Sequence, residues 1–527
     1  MKKMKNVSFF KAVFVVTLFM TLGTFCERAE AFSEDSLVWQ KCTDCHEPSN
    51  GKISAVEEIR TTPEEWTVIV ERMARLHGME VTGEEMKALV KELCTTQGLS
   101  AEEQEKVAYL NLTNNTQFME TPVGANEEKL FATCVRCHSG GKIYSYRMTD
   151  SAWAKLTDFH LYMFPSTVFQ LREMRFVPEA NAVLAQLAKD YPYGQSPEVA
   201  KDSPAGSWII MGREPGKGDY RGEATIVTNG DEEYTLKGTL NFADGTTESF
   251  NGGATLYGGH ALRTYSDHNG YATLGAYSFV DGVIRGEHHY PAPDYRTSAS
   301  TWYPAGGEAA VLKVSPGYLL SGETTTLILE GRNLPKVKKS DIKFADGSVK
   351  VLKVENAGPQ TLAVQVLYKG KKITTSDLKV KGLDAGTVTL ATQVDYIAVT
   401  PEMGRARLDG GRYLPAEGVQ FEAVAYSKGA NADDSADDLL LGPVHAEFKL
   451  SEEVTRDEDD DLAWVGAIAE NGRFSPTGDY GSVTTREYET EASGMVKVNA
   501  EYHRGDRVYK ASARLAVVPP DYIKRIK

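Results

Sequence analysis

Cys42-Thr43-Asp44-Cys45-His46 decides how the first third of the chain is read, and the pattern recurs as Cys134-Val135-Arg136-Cys137-His138. Two cysteines two residues apart, with histidine directly after the second, is the spacing for covalent attachment of a c-type haem. The chemistry requires that order: both thiols add to vinyl groups on one porphyrin edge, and the adjacent imidazole then lies under the iron as an axial ligand. One copy alone would also fit half a zinc site or a redox dithiol. Two copies favour two haems, one held by Cys42 and Cys45 with His46 on its iron, the other by Cys134 and Cys137 with His138.

The surroundings of both cassettes, from Phe32 to about Asp202, have helical periodicity. Thr82-Gly83-Glu84-Glu85 is a capping box ahead of Met86, Leu89, Val90 and Leu93, and Ser100-Ala101-Glu102-Glu103 repeats the signal before Val107 and Leu110. A further helical run covers Pro178 to Lys189, with proline in its first turn. The two halves repeat internally. Trp66 follows the first cassette and Trp153 the second, and seven residues beyond each stands a residue able to bind iron, Met73 and His160. Seven residues is about two helical turns, so tryptophan and ligand share a face, with Val70 and Leu156 between them. Met73 is therefore the expected sixth ligand of the first haem and His160 that of the second. His77 is the alternative to Met73; Met119, before Pro122, and Met163 are weaker rivals. Methionine raises the potential of a c-type haem, so electrons would run downhill from the second haem to the first.

With 527 residues the chain calls for three or four domains. Its 41% hydrophobic and 25% charged content is that of a globular protein, and a formal net charge of −15 argues against nucleic acid or an anionic membrane surface as partner. Lys2, Lys3 and Lys5 precede the apolar run Ala12 to Leu22, and Ala29-Glu30-Ala31 offers a small-x-small cleavage site, so residues 1–31 read as a secretory signal peptide. Phe25 occupies the position before Cys26 where lipidation needs a small residue. No stable membrane insertion is expected after cleavage, and the bacterial periplasm is the expected location. Four of the six cysteines serve haem and Cys26 leaves with the signal, so Cys94 remains alone and reads as buried packing.

Beyond the Pro- and Gly-rich linker Tyr191 to Gly206 the pattern changes to short strands between Gly and Asp turns. Glu223 to Thr228, Glu233 to Phe242, Ala272 to Val280 and Val283 to Tyr290 read as strands, with Asn229-Gly230, Asp244-Gly245 and Asp281-Gly282 as hairpin signals. The expected architecture is multidomain α + β. An α-helical diheme cytochrome c domain (32–203) precedes three antiparallel β domains: a barrel-like unit (204–307) and two immunoglobulin-like sandwiches (308–391 and 392–527). In the third unit Val314-Ser315-Pro316-Gly317 leads to a strand Thr324 to Glu330; in the fourth, strands are expected at Val419 to Tyr426, Val444 to Leu450, Met495 to Tyr502 and Ala511 to Val518. His260, His268, His288 and His289 are read as structural, since His288 and His289 point to opposite faces of a strand. The acidic clusters Asp433 to Asp438 and Glu458 to Asp461 lack calcium-loop spacing and read as solvated loops.

The layout resembles the large diheme subunit of quinohemoprotein amine dehydrogenase, with family-like detail in Trp66 to Leu93, Leu312 to Pro335 and Gly418 to Pro443. The resemblance implies a heterotrimer that oxidatively deaminates primary amines to aldehydes and ammonia. It also implies a small partner subunit bearing a cysteine tryptophylquinone, a propeller subunit, and a soluble cytochrome c or copper protein as electron acceptor. No catalytic residue is expected on this chain. The competing expectations are a stand-alone diheme carrier, or the cytochrome subunit of another periplasmic dehydrogenase, and a β-domain binding or adhesion protein with auxiliary haems.

Overall fold

The structure, a computed structural model, describes residues 32–105, 107, 122–135, 138–171, 173–195, 199, 202–291, 296–411, 415–431, 435–454, 456–477, 486 and 491–520. The expected signal peptide, Cys26, Leu110, Met119, Cys137 and part of the first acidic cluster lie outside the described residues.

Local chemistry builds the helical region. Ser36 caps α1 (Leu37–Cys42) by accepting from Trp39 N, and Thr62 caps α2 (Pro63–His77), whose first position is proline. The capping box of α3 (Gly83–Gln97) is complete: Thr82 Oγ1 accepts from Glu85 N, and Glu85 Oε2 accepts from Thr82 N at 2.8 Å. Ser100 and Glu103 repeat it at the start of α4 (Ala101–Glu105). A two-residue turn with Asn50 and Gly51 both at positive φ joins β1 (Pro48–Ser49) to β2 (Lys52–Ile53).

The internal repeat has a structural axis. β3 (Ile59–Arg60) pairs antiparallel with β4 (Arg147–Met148), and Arg60 lies opposite Arg147. Like charges facing each other across a ladder repel. Glu103 relieves this by bridging both, 2.9 Å from Arg60 Nη1 and 3.0 Å from Arg147 Nε. α2 and the helix Asp150–Met163 each follow one strand of this ladder, each capped by a threonine, Thr62 or Thr149. Trp66 and Trp153, equivalent in the two halves, are buried to 2% exposure. Their indole N–H groups donate to the carbonyls of Gln97 and Tyr191.

Eight strands, each paired with its neighbour in sequence, close the second unit into an up-and-down barrel: β5 (Gly206–Glu214), β6 (Gly218–Gly230), β7 (Glu233–Phe242), β8 (Thr247–Tyr257), β9 (Ala261–His268), β10 (Tyr271–Val280), β11 (Val283–His289) and β12 (Thr297–Pro304). β12 pairs back onto β5, from Ala299↔Arg213 to Pro304↔Trp208. The interior is filled by inward side chains such as Ile210, Phe250, Tyr277 and Trp302, which leave about 10 Å³ among them. Asp281 and Gly282 turn the β10–β11 hairpin with both φ positive, as their sequence predicts. The expected Asn229-Gly230 turn lies elsewhere: Asp231 and Glu232 take the positive φ values, and Gly230 instead sits at a register shift of the ladder. The left-handed freedom of glycine was spent on a bulge, which moved the turn by two residues.

Inside the barrel His268 Nδ1 lies 2.8 Å from Glu248 Oε1, and Tyr290 OH donates to the same oxygen. Burial works to raise the Glu248 pKa, but these hydrogen bonds and the charges of His268 and Lys217 outweigh it and hold the carboxyl at about 2. A depressed carboxyl contributes stability above its unfolded pKa of about 4.5 and loses it as pH falls toward 2. Thermal melts from pH 5 to 2 should therefore show an acid limb that flattens in Glu248→Gln, a variant that also melts lower at pH 5. His288 points inward, its Nδ1 3.2 Å from Tyr277 OH, and His289 points outward. His260 fastens the barrel to the helical region, its two ring nitrogens against the carbonyls of Leu99 and Gly258, and Arg263 reaches Glu64 of α2.

The third unit is a sandwich of two four-stranded sheets around Leu327, Leu329, Val364, Val366, Leu378 and Val388. The fourth has one four-stranded and two three-stranded sheets around Val399, Phe421, Phe474, Val496 and Leu515. Each holds a parallel strand pairing, Tyr318–Leu320 with Leu383–Ala391 and Met403–Arg407 with Arg507–Val518, among antiparallel ones. Two expected strands are divided: Val419–Gln420 and Glu422–Ser427 belong to different sheets, and Leu439–Val444 and Glu447–Glu452 do likewise. Apolar runs continue across such corners, so pattern alone merges them. The second acidic cluster is also not simply solvated. Asp461 is 5% exposed and binds the buried Arg486, which Asp460 also contacts at 2.8 Å. Glu452, Asp459 and Asp461 bring carboxylate oxygens within 4.8 Å of one another beside that guanidinium.

Candidate functional site

The first cassette grows out of the end of α1. The backbone turns tightly after Cys42, whose carbonyl accepts from His46 N at 2.9 Å, so Cys42 stays half-buried, Cys45 is exposed and the His46 ring turns back toward the helices. The His46 pKa is lowered, first by burial and then by the nearby His77, against a hydrogen bond to the Ser54 backbone. Burial, with the charge of Glu92, pushes the Cys42 thiol up to about 11. α2 brings Trp66, Val70 and Met73 to the same space. Gly78, left-handed at φ 76°, then ends the helix just past the exposed His77 and returns Met79 to the wall.

The second cassette follows the helix Gly124–Thr133, which Cys134 terminates. Ser139 caps the short helix Gly140–Tyr144, and its carbonyl lies 3.0 Å from His138 Nδ1. On the helix Asp150–Met163, His160 Nδ1 lies 2.7 Å from the Leu156 carbonyl. A carbonyl at Nδ1 fixes the tautomer that leaves the Nε2 lone pair for a metal, which is how ligating histidines are commonly oriented. The two ring centroids lie 6.5 Å apart, with the ring planes tilted by 44°. Two imidazoles each about 2 Å from one shared metal would have centroids on the order of 6 Å apart. The spacing of His138 and His160 is thus compatible with two ligands of one metal.

Both sets open onto one cavity of about 1200 Å³. That exceeds the ordinary range for one small-molecule site, about 300–1000 Å³. Its lining includes Cys42, Cys45, His46, Met73 and His77 from the first half and Cys134, His138 and His160 from the second. Trp66, Val70, Trp153 and Leu156 also line it, as the seven-residue register requires. These residues fit two flat, largely apolar groups in one chamber. Cys94 is 2% exposed and packs with Leu89, Val90 and Leu93, its thiol pKa raised by burial.

A polar seam between the halves was not legible in the sequence. Glu65, 3% exposed, accepts from Lys142 Nζ at 2.7 Å and from Tyr146 OH at 2.6 Å. Burial, followed by the charge of Glu65, raises the Tyr146 pKa well above its usual value. Glu65 and Lys142 are 77 residues apart, beyond any local pattern. Met79 and Met148 also line the cavity, and Arg72 lies over the Phe159 ring at 5.0 Å. Among the described residues no helix is long and apolar enough to cross a membrane.

Comparison with known proteins bears directly on this chamber. Residues 32–196 match the family model for the haem-binding region of the quinohemoprotein amine dehydrogenase alpha subunit. Residues 201–293 match the model for domain II of the same subunit, and residues 397–526 that for domain IV. No curated protein matches the chain. Among solved structures, a redesigned beta barrel is 11% identical over 19% of this chain and 91% of its own, with a TM-score of 0.18. Human protocadherin-24 EC1-2 is 13% identical over 41% and 99%, with a TM-score of 0.15. The bacterial integrin-binding protein invasin is 11% identical over 58% and 79%, at 0.13. TM-scores this low carry no argument. The three family models concur along most of the chain, and the chain belongs to the family of quinohemoprotein amine dehydrogenase alpha subunits, with the haem-binding domain at its start.

Proposed function

We propose that this chain is the diheme electron-transfer subunit of a periplasmic amine dehydrogenase. It takes electrons from a cysteine tryptophylquinone on a small partner subunit, reduced by deamination of primary amines, and passes them to a soluble cytochrome c or copper protein. The observation that carries this reading is the single chamber onto which both cassettes and both tryptophan-plus-seven residues open. Haem, when bound, supplies reversible one-electron chemistry at iron. Cys42 and Cys45 would hold one group with His46 beneath it, and Cys134 and Cys137 the other with His138 beneath it. His160 takes the position facing His138, and Met73 is assigned to the first site, with His77, close enough to His46 to act on its charge, as the alternative.

The remaining parts follow from the same assignment. The buried tryptophans and the aliphatic wall exclude water, and the Nδ1 contacts of His138 and His160 orient both rings. Residues 32–203 form the electron-carrying domain and 204–307, 308–391 and 392–527 the β domains, with the propeller and quinone-bearing subunits as partners. Family membership supports this reading over a stand-alone carrier or an adhesin. Mass spectrometry of the native complex, with haem and quinone staining of its separated subunits, tests it; amine-dependent haem reduction by the purified chain alone would overturn the division of labour. Within the site, Met73→His should lower one of two measured midpoint potentials, because methionine ligation raises the potential. If both stay in place, His77 takes the position.

A further inference from the structure

Four cationic side chains line the chamber, namely Lys41, Arg72, Lys142 and Lys155. Three have carboxylate partners: Lys41 is 3.1 Å from Glu85, Lys142 is 2.7 Å from Glu65, and Lys155 is 3.5 Å from Glu58. Among the described residues, Arg72 makes no hydrogen bond or ion pair. Its Cζ lies 5.0 Å from the centroid of Phe159, a cation–π contact that consumes none of the guanidinium's N–H donors in a hydrogen bond. Its position is central. Arg72 adjoins Met73 in α2, and Phe159 adjoins His160 in the opposing helix, so the stacked pair bridges the two halves where both assigned sixth ligands stand. It also acts electrostatically on the buried Tyr146 of the second half.

We propose that Arg72 is the chamber's carboxylate clamp, a positioning residue that pairs with a haem propionate at the junction of the two sites and holds up the potential of at least one of the two haems. This rests on the diheme reading above. A guanidinium presents a planar fork of donors that matches a carboxylate. Half-buried Arg72, which has no carboxylate partner among the described residues, therefore suits the carboxylate that haem brings into the chamber. Fixed positive charge near an iron that loses net positive charge on reduction favours the reduced form.

The test is spectroelectrochemical titration of the haem-loaded chain with Arg72→Gln and Arg72→Lys. Arg72→Gln should lower one or both midpoint potentials, and Arg72→Lys, which keeps the charge but not the fork, should lower them less. Unchanged potentials in Arg72→Gln, or a fall in Arg72→Lys as large as in Arg72→Gln, would overturn the proposal. Should Arg72→Gln fail to mature, Arg72→Met is the neutral replacement, with the same expected and overturning results. Haem content separates the two levels. An unsubstituted chain without two covalent haems defeats the diheme reading, whereas two retained haems with unmoved potentials defeat only the role of Arg72.

Discussion

On the proposed diheme reading, replacing Cys42 and Cys45 together with serine should leave one covalent haem in place of two. A hydroxyl cannot form the thioether that a cassette cysteine contributes, and serine otherwise preserves size and local hydrogen bonding. The second cassette should keep its group. It packs in its own cluster with Leu130, Ile143, Trp153 and Leu184, while the first lies with Val38, Val70, Leu89 and Leu93. Intact mass of the exported chain, together with a pyridine haemochrome assay, reads the number directly. Two haems retained in this variant would mean that Cys42 and Cys45 are not the attachment points. Loss of both would mean that the halves do not load independently despite their separate cores.

The second large effect belongs to the tryptophans. Trp66→Ala and Trp153→Ala should each cost about 3–5 kcal/mol by opening a cavity. For a domain of this size that is a fall in Tm of roughly 6–20 °C, followed by haem absorbance during heating. Trp66→Ala should be the worse of the two. Its indole N–H serves the carbonyl of Gln97, a residue 3% exposed, which would lose one of its two donors and keep only the bond from Thr61 N, with no water to replace the other. The partner of Trp153 belongs to Tyr191, which is half-exposed, so water can replace the lost donor. Losses under 1 kcal/mol would show that the tryptophans are not the supports of the ligand-bearing helices.

Misreadings have physical causes of the same kind. Asn229-Gly230 carries strong hairpin chemistry, yet the turn falls at Asp231-Glu232, because ladder register between two long strands outweighs one favourable dipeptide. The division of Val444 to Leu450 between two sheets is set by which neighbouring strands accept each half. The acidic run ending at Asp461 reads as solvated until Arg486, 25 residues onward, is brought into the core beside it. Of the site, the cassettes and the seven-residue register are written in adjacent positions and helical periodicity. The Glu65–Lys142–Tyr146 seam and the Arg72–Phe159 stack depend on two helices meeting.

The sequence alone determined whatever depends on neighbours along the chain. The order of cysteines and histidine is dictated by thioether chemistry, the threonine and serine caps satisfy the first turns of helices, and the Asp281-Gly282 turn supplies two left-handed residues in a row. The tertiary structure alone decided the closure of the barrel by β12 on β5 and the clasp of His260 on the helical region. It also decided that cassettes 92 residues apart open onto one chamber. Those outcomes are set by burial and by which distant surfaces fit together, and such contacts leave no periodic trace in the residues that make them.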